Sequence, residues 1–229
     1  MRGLFVTATD TNVGKTVLSA SLVAAIAAHG RGVRAFKPML TGLEEPPAGV
    51  GQEDSRPDHE ILAAAAGMSP EEVAPFRFAA AVSPHLAAAL EGTSIDPSRL
   101  LAAARAGGGQ QISIVEGVGG LLVPLSEDYT VRDLAADLGL PLLIASRPGL
   151  GTINHTLLTI AAARERGLEV TAVVLTPWPS QPTPMERSNR ETIARLGEVE
   201  VATLEEVSSG EPSELVRAGD RLPWRRWLG

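Results

Sequence analysis

The chain has 229 residues, no cysteine and a net charge of −7 at pH 7. Without cysteine there are no disulfides, thiolate nucleophiles or thiolate-held metals, and an acidic balance is the wrong sign for general nucleic-acid binding. No apolar run approaches the ~18 residues of a membrane span, and no basic start precedes an apolar stretch, so a soluble, cytoplasmic, single domain over 1–229 is expected.

Residues 3–8 (GLFVTA) predict a short buried strand, and 14–28 (GKTVLSASLVAAIAA) a helix closed by Gly30. Between them lies TATDTNVGKT (7–16), which ends in Gly-Lys-Thr like a phosphate-binding loop but has Ala8 and Thr9 where the first glycine should stand. At a strand-to-helix junction, backbone N–H groups and the helix dipole form an anion site. The candidate nucleotide contacts are Asn12, Val13, Gly14, Lys15, Thr16 and Val17. Gly14 would permit close backbone approach, Lys15 would reach phosphate oxygens and Thr16 would offer a hydroxyl to Mg²⁺. The plainer alternative is a turn that merely enters a helix.

Residues 33–37 predict a second strand ending at Lys37, followed by Pro38 and Leu-Thr-Gly, and a Pro/Gly-rich loop over 42–57. A helix is expected over 58–66. Its first residue, Asp58, reads either as an ordinary helix-start acid or as a metal ligand. Helices follow near 84–91, opened by Ser83-Pro84-His85, and over 97–106. The strand 110–117 ends at Glu116 and runs into GVGG; a carboxylate closing an apolar strand is costly unless paired or bound to a cation. Then come a helix (130–138), a strand (141–146), a helix (152–166) opened by GLGTINHT, a strand (169–175), a helix (184–196) and a last strand (199–203). The tail LPWRRWLG should pack its tryptophans on the body with arginines at the rim. Apolar strands alternating with helices predict an α/β, P-loop NTPase-like fold, a mostly parallel sheet with helices on both faces. Ligands then bind beyond the carboxyl ends of the strands.

Of the 20 basic residues only Lys15 and Lys37 are lysine. Where charge alone suffices this chain uses arginine, so both lysines are candidates for sites that need a compact ammonium on a flexible stem.

The stretches ATDTNVGKT (8–16), KPMLTG (37–42), SPH (83–85), VEGVGG (115–120) and LGTINH (150–155) together resemble the motifs of the dethiobiotin synthetases, in the same order. In that family the loop is one residue longer than the ordinary pattern, so its first glycine maps to Ala8. The resemblance implies an ATP-dependent cyclo-ligase of biotin synthesis: 7,8-diaminononanoate captures CO₂ as a carbamate, ATP phosphorylates it, and the second amine closes the cyclic urea. It implies Mg²⁺ held by Thr16, Asp58 and Glu116, with Asp54 the rival to Asp58. Lys15, Lys37 and Thr11 would act on the transferring phosphoryl group and the carbamate, with Thr41 nearby. Val118, Gly119 and Gly120 would line the diamine pocket. Gly151, Thr152 and Asn154 would receive the substrate carboxylate across a homodimer.

At the base-binding end Thr176 and Pro177 stand where many relatives have Asn-Asp, and the later Pro-Trp segment is missing from VEVATLEE (199–206). A hydroxyl cannot make the paired donor–acceptor contact of an amide, so weak discrimination among nucleoside triphosphates is expected. The resemblance weakens beyond residue 175. Two other readings are a partition-type switch ATPase, disfavoured because no lysine precedes Lys15 in the loop, and a related amide-forming domain with a different substrate.

Overall fold

A computed structural model describes residues 1–43, 56–106, 109–208 and 210–229. In chain order the first elements are β1 (Gly3–Ala8), α1 (Lys15–Ala28), β2 (Val33–Phe36), β3 (Met39–Leu40), α2 (Asp58–Ala66), α3 (Pro70–Val73) and β4 (Phe76–Arg77). They are followed by α4 (Pro84–Leu90), α5 (Pro97–Arg105), β5 (Ile112–Glu116), β6 (Pro124–Ser126), β7 (Tyr129–Thr130) and α6 (Val131–Leu138). The chain continues with β8 (Leu142–Ser146), α7 (Thr152–Glu165), β9 (Val170–Trp178), α8 (Pro184–Gly197), β10 (Glu200–Glu205), α9 (Pro212–Asp220) and α10 (Trp224–Leu228).

Six strands form one sheet in the order β10-β9-β8-β1-β5-β2, and every pairing in it is parallel. The strands are apolar on both faces because both faces are covered. The pleat of β1 sends Leu4, Val6 and Ala8 into a core shared with α1, α2 and the C-terminal helices, and Phe5 into the opposite core with α4, α5 and α6. A third cluster, around Ile144, Val173 and Ile193, lies under α7 and α8.

The helix α1 is buried along most of its length, and its small residues permit this. A Cβ built on Gly219 of α9 would fall 2.0 Å from the Ser21 carbonyl oxygen, so the two helices meet almost backbone to backbone. Trp224 and Trp227 of α10 are buried in the same core, with Arg225 stacked over the Trp224 ring at 4.4 Å, as the tail's composition suggests.

The structure departs from the sequence expectation in detail. β2 stops at Phe36, so Lys37 stands just beyond the strand end, and β9 runs on through Thr176 and Pro177 to Trp178. Most of the expected loop at 42–57, including Asp54, lies outside the described residues. The consequence that matters is positional: β1, β2, β5, β8 and β9 all end on one edge, with α1 and α7 starting from it.

Candidate active site

β1 lies between β5 and β8, which fixes where its chain leaves the sheet. The Thr9 N–H still donates to the Ala145 carbonyl at 3.0 Å; then the chain turns. The Asp10 carboxylate accepts from the Thr11 N–H at 2.7 Å, Asn12 adopts a left-handed φ of 55°, and Gly14 caps α1 at φ 92°. Asparagine is among the few side chains that tolerate this region. Gly14 is required twice over, since its φ suits only glycine and a Cβ there would come within 3.0 Å of Thr176 Cγ2. The N–H groups of Asn12, Val13 and Gly14 meet no acceptor among the described residues. Ala8, by contrast, is buried, extended strand with no left-handed φ, so alanine in the glycine's place brings no backbone strain.

In and beside this loop five sequence-selected side chains gather. Lys37 Nζ donates to Asp58 Oδ2 at 2.6 Å and to Glu116 Oε1 at 2.7 Å. Thr16 Oγ1 donates to the same Glu116 Oε1 at 2.9 Å. Lys15 Nζ reaches the Asp10 carbonyl oxygen at 3.3 Å. Lys37 and Glu116 are almost fully buried (4% and 1% exposed), whereas the Asp58 side chain keeps contact with solvent. Burial alone would lower the Lys37 pKa, but the charges of Asp58 and Glu116 and their hydrogen bonds overcome it and hold the ammonium above the ordinary lysine range. For Asp58 burial acts upward, yet the Lys37 charge and hydrogen bond keep its carboxyl below the usual range. Lys15 goes the other way. Burial pushes it down to about 8, with Lys37 adding to the fall and Glu116 opposing it.

Among the described residues no group of three or more His, Cys, Asp or Glu side chains could hold a metal by itself. What the cluster offers is oxygen: Thr16, Asp58 and Glu116. The second Glu116 oxygen, Oε2, is buried without a hydrogen-bond partner among the described residues. A hard divalent cation bound mainly through phosphate, with one or two carboxylates, suits such a donor set.

A cleft of about 440 Å³ adjoins the loop. Thr9, Asp10 and Thr11 form its polar wall, and Leu121, Val123 and Leu158 are prominent on its apolar side. Val118, Gly119 and Gly120 lie half-buried next to it, and a Cβ on Gly120 would stand 3.4 Å from the Ala8 carbonyl oxygen. A smaller hollow of about 240 Å³ lies between the end of β10 and α9.

The remaining sequence candidates sit apart from the Lys37 cluster or serve it indirectly. Thr11 is exposed on the loop, Thr41 is half-buried past β3, and His85 is exposed at the start of α4. Gly151, at φ 89°, caps α7; it and Asn154 are exposed. The hydroxyl of Thr152 points inward, pairing with Ser146 Oγ at 2.8 Å. Thr176 is buried against Gly14, and Pro177 is exposed. Sequence reasoning missed Asp10, which holds Lys15, and the pair Ser146-Arg147, which touches the loop from the end of β8. The signal for the pair was their position at the carboxyl end of a strand, on the ligand edge.

The profile of an AAA domain family matches residues 2–208. ATP-dependent dethiobiotin synthetase BioD of Bacillus subtilis subsp. natto is 40% identical over 199 residues, covering 86% of this chain and 83% of that protein. The protein of the same name from Anaeromyxobacter dehalogenans is 43% identical over 198 residues, 86% of each. That of Mycobacterium sp. strain JLS is 37% identical over 234 residues, 100% of this chain and 98% of its own. Among solved structures, the cell division ATPase MinD of Pyrococcus furiosus superposes with a TM-score of 0.54 at 18% identity, covering 97% of this chain and 90% of that one. A ParA family ATPase from Chlorobium tepidum gives 0.52 at 13% identity, covering 95% and 96%. These two share the fold.

Proposed function

The chain belongs to the family of ATP-dependent dethiobiotin synthetases, and from that premise we propose how its residues serve the reaction. It is an ATP-dependent ligase. The observation that carries the reading is the Lys37 ammonium held between Asp58 and Glu116 beside Gly14-Lys15-Thr16.

One amine of 7,8-diaminononanoate attacks CO₂, forming an N–C bond and losing a proton to give a carbamate. A carbamate oxygen then attacks the γ-phosphorus of ATP, and ADP leaves. The second amine attacks the activated carbonyl, phosphate departs, and the cyclic urea of dethiobiotin closes. Little covalent chemistry falls to the protein, so its task is positioning and charge stabilisation. The N–H groups of Asn12, Val13 and Gly14, together with the start of α1 through Lys15, Thr16 and Val17, cradle the nucleotide phosphates. Lys15 meets the terminal phosphates. Lys37, buried and held as a point charge, stabilises the carbamate and the phosphoryl group in transfer, with Thr11 and Thr41 hydrogen-bonding beside them. Thr16, Asp58 and Glu116 would hold Mg²⁺, and the unpartnered Glu116 Oε2 supports this set. Bound there with the nucleotide, Mg²⁺ would offset charge on the phosphates.

The apolar wall of the 440 Å³ cleft suits the hydrocarbon chain of the diamine, next to Val118, Gly119 and Gly120. Gly151, Thr152 and Asn154 receive its carboxylate from a partner subunit. Because the Thr152 hydroxyl is turned inward to Ser146, the reading gives that contact to backbone N–H groups and the Asn154 amide. The exposed Leu122, Leu150 and Leu158 support a homodimer that covers this side. The reading also includes a cytoplasmic enzyme, in keeping with the finding that no helix among the described residues is long and apolar enough to cross a membrane. At the base end, Thr176 and Pro177 leave the nucleobase without an amide reader.

The test is incubation with MgATP, the diamine and isotopically labelled bicarbonate, followed by mass spectrometry. Label in the ureido carbon of dethiobiotin supports the carbamate route; an unlabelled or different product rejects it.

A further inference from the structure

The connection between β8 and α7 grips the phosphate loop twice. Inside, Ser146 Oγ accepts from Thr9 Oγ1 at 3.2 Å and pairs with the hydroxyls of Thr152 at 2.8 Å and Thr156 at 3.0 Å; Ser146, Thr152 and Thr156 are all buried. Outside, one guanidinium nitrogen of Arg147 donates to the carbonyls of Asn12 at 2.9 Å and Thr11 at 3.4 Å. The connection is itself anchored from α8, where the buried Asn189 Nδ2 donates to the carbonyls of Pro148 at 2.9 Å and Gly149 at 3.2 Å.

The outer grip has a directional consequence. In a trans peptide the C=O and the following N–H point in opposite directions. Drawing the carbonyls of Thr11 and Asn12 toward Arg147 therefore turns the N–H groups of Asn12 and Val13 away from it. The left-handed φ of Asn12 is the kind of backbone step that aligns successive N–H groups into an anion-binding nest. Both N–H groups meet no acceptor among the described residues, as a preformed phosphate cradle requires.

We propose that Arg147 is a positioning residue for the nucleotide: it holds the apex of the phosphate loop in its anion-binding conformation from the rigid β8–α7 connection. This rests on the reading of residues 9–16 as the nucleotide site. Arg147 itself is exposed, so removing its side chain opens no cavity in the core.

The test compares the full-length wild type with Arg147→Met and Arg147→Lys. Dissociation constants for MgADP are measured by calorimetry at low and high salt, and hydrogen exchange of segment 9–16 is followed without nucleotide. Arg147→Met should bind MgADP about 10-fold more weakly, the scale of one lost charge-assisted hydrogen bond. The loss should persist at high salt, where a merely electrostatic attraction would be screened. Loop amides should exchange faster in Arg147→Met, Arg147→Lys should fall between it and the wild type, and the unfolding midpoint should stay put. Unchanged affinity and exchange in Arg147→Met overturn the proposal alone, as does a loss that vanishes with salt. A wild type that binds no nucleotide overturns the underlying site reading instead.

Discussion

Replacing Lys37 by arginine keeps the charge and changes its shape. The native ammonium sits at 2.6 Å from Asp58 and 2.7 Å from Glu116 at a site only 4% exposed, so a single nitrogen serves two carboxylates in a tight space. A guanidinium is longer, flat and rigid. It can fork onto one carboxylate but cannot be a compact charge between both while facing the proposed carbamate. Turnover should fall at least about 100-fold, or ~2.7 kcal/mol, comparable with removing one transition-state hydrogen-bond donor elsewhere. The fold should fare better than the chemistry, because the charge that balances Glu116 remains. Lys37→Met differs: it leaves the buried Glu116 carboxylate without its ion pair and should cost about 3–5 kcal/mol of stability. The assay is steady-state turnover with MgATP, bicarbonate and diamine, alongside thermal unfolding of both variants. Near-normal turnover of a folded Lys37→Arg enzyme would show that charge alone mattered and would refute the reasoning.

Thr16→Val removes the hydroxyl that donates to Glu116 at 2.9 Å and should raise the Mg²⁺ concentration for half-maximal activity about 10-fold, roughly one hydrogen bond's worth. An unchanged Mg²⁺ dependence would exclude Thr16 as a ligand. Competition among nucleotides should show ATP preferred over CTP or GTP by less than about 100-fold, ~2.7 kcal/mol; a larger preference would mean that another group reads the base. Gly219→Ala should destabilise the protein by about 1–3 kcal/mol, since its Cβ would collide with the Ser21 carbonyl. Denaturant midpoints measure this, and a neutral result would contradict the close contact of α1 and α9.

The parts of the site legible in the sequence were those whose chemistry is local. Gly14-Lys15-Thr16 lies within one strand-to-helix turn, and Glu116 announces itself as an acid closing an apolar strand, so both could be named as candidates before any pairing was known. The six strands of the main sheet followed from apolar runs alternating with helices, but not their order: nothing local says that β5 enters between β1 and β2. The two-residue strands β3 and β4 pair only through tertiary contact, and the local hairpin of β6 and β7 is too short to leave a periodic pattern. The helix α9 buries only Leu215 and Gly219, the second of which reads as a helix breaker until Ser21 is seen against it. Ser146, Thr9 and Thr156 are ordinary residues whose hydroxyls acquire meaning only when β1, β8 and α7 come together. Asp54 and the loop around it lie outside the described residues, and Asp58 occupies the carboxylate position beside Lys37.

The most direct measurement is phosphate release from MgATP in the presence of bicarbonate, with and without 7,8-diaminononanoate. The account predicts release that depends on the diamine and matches dethiobiotin formed mole for mole. Release indifferent to the diamine would contradict it, leaving an ATPase of this fold whose substrate had been misread.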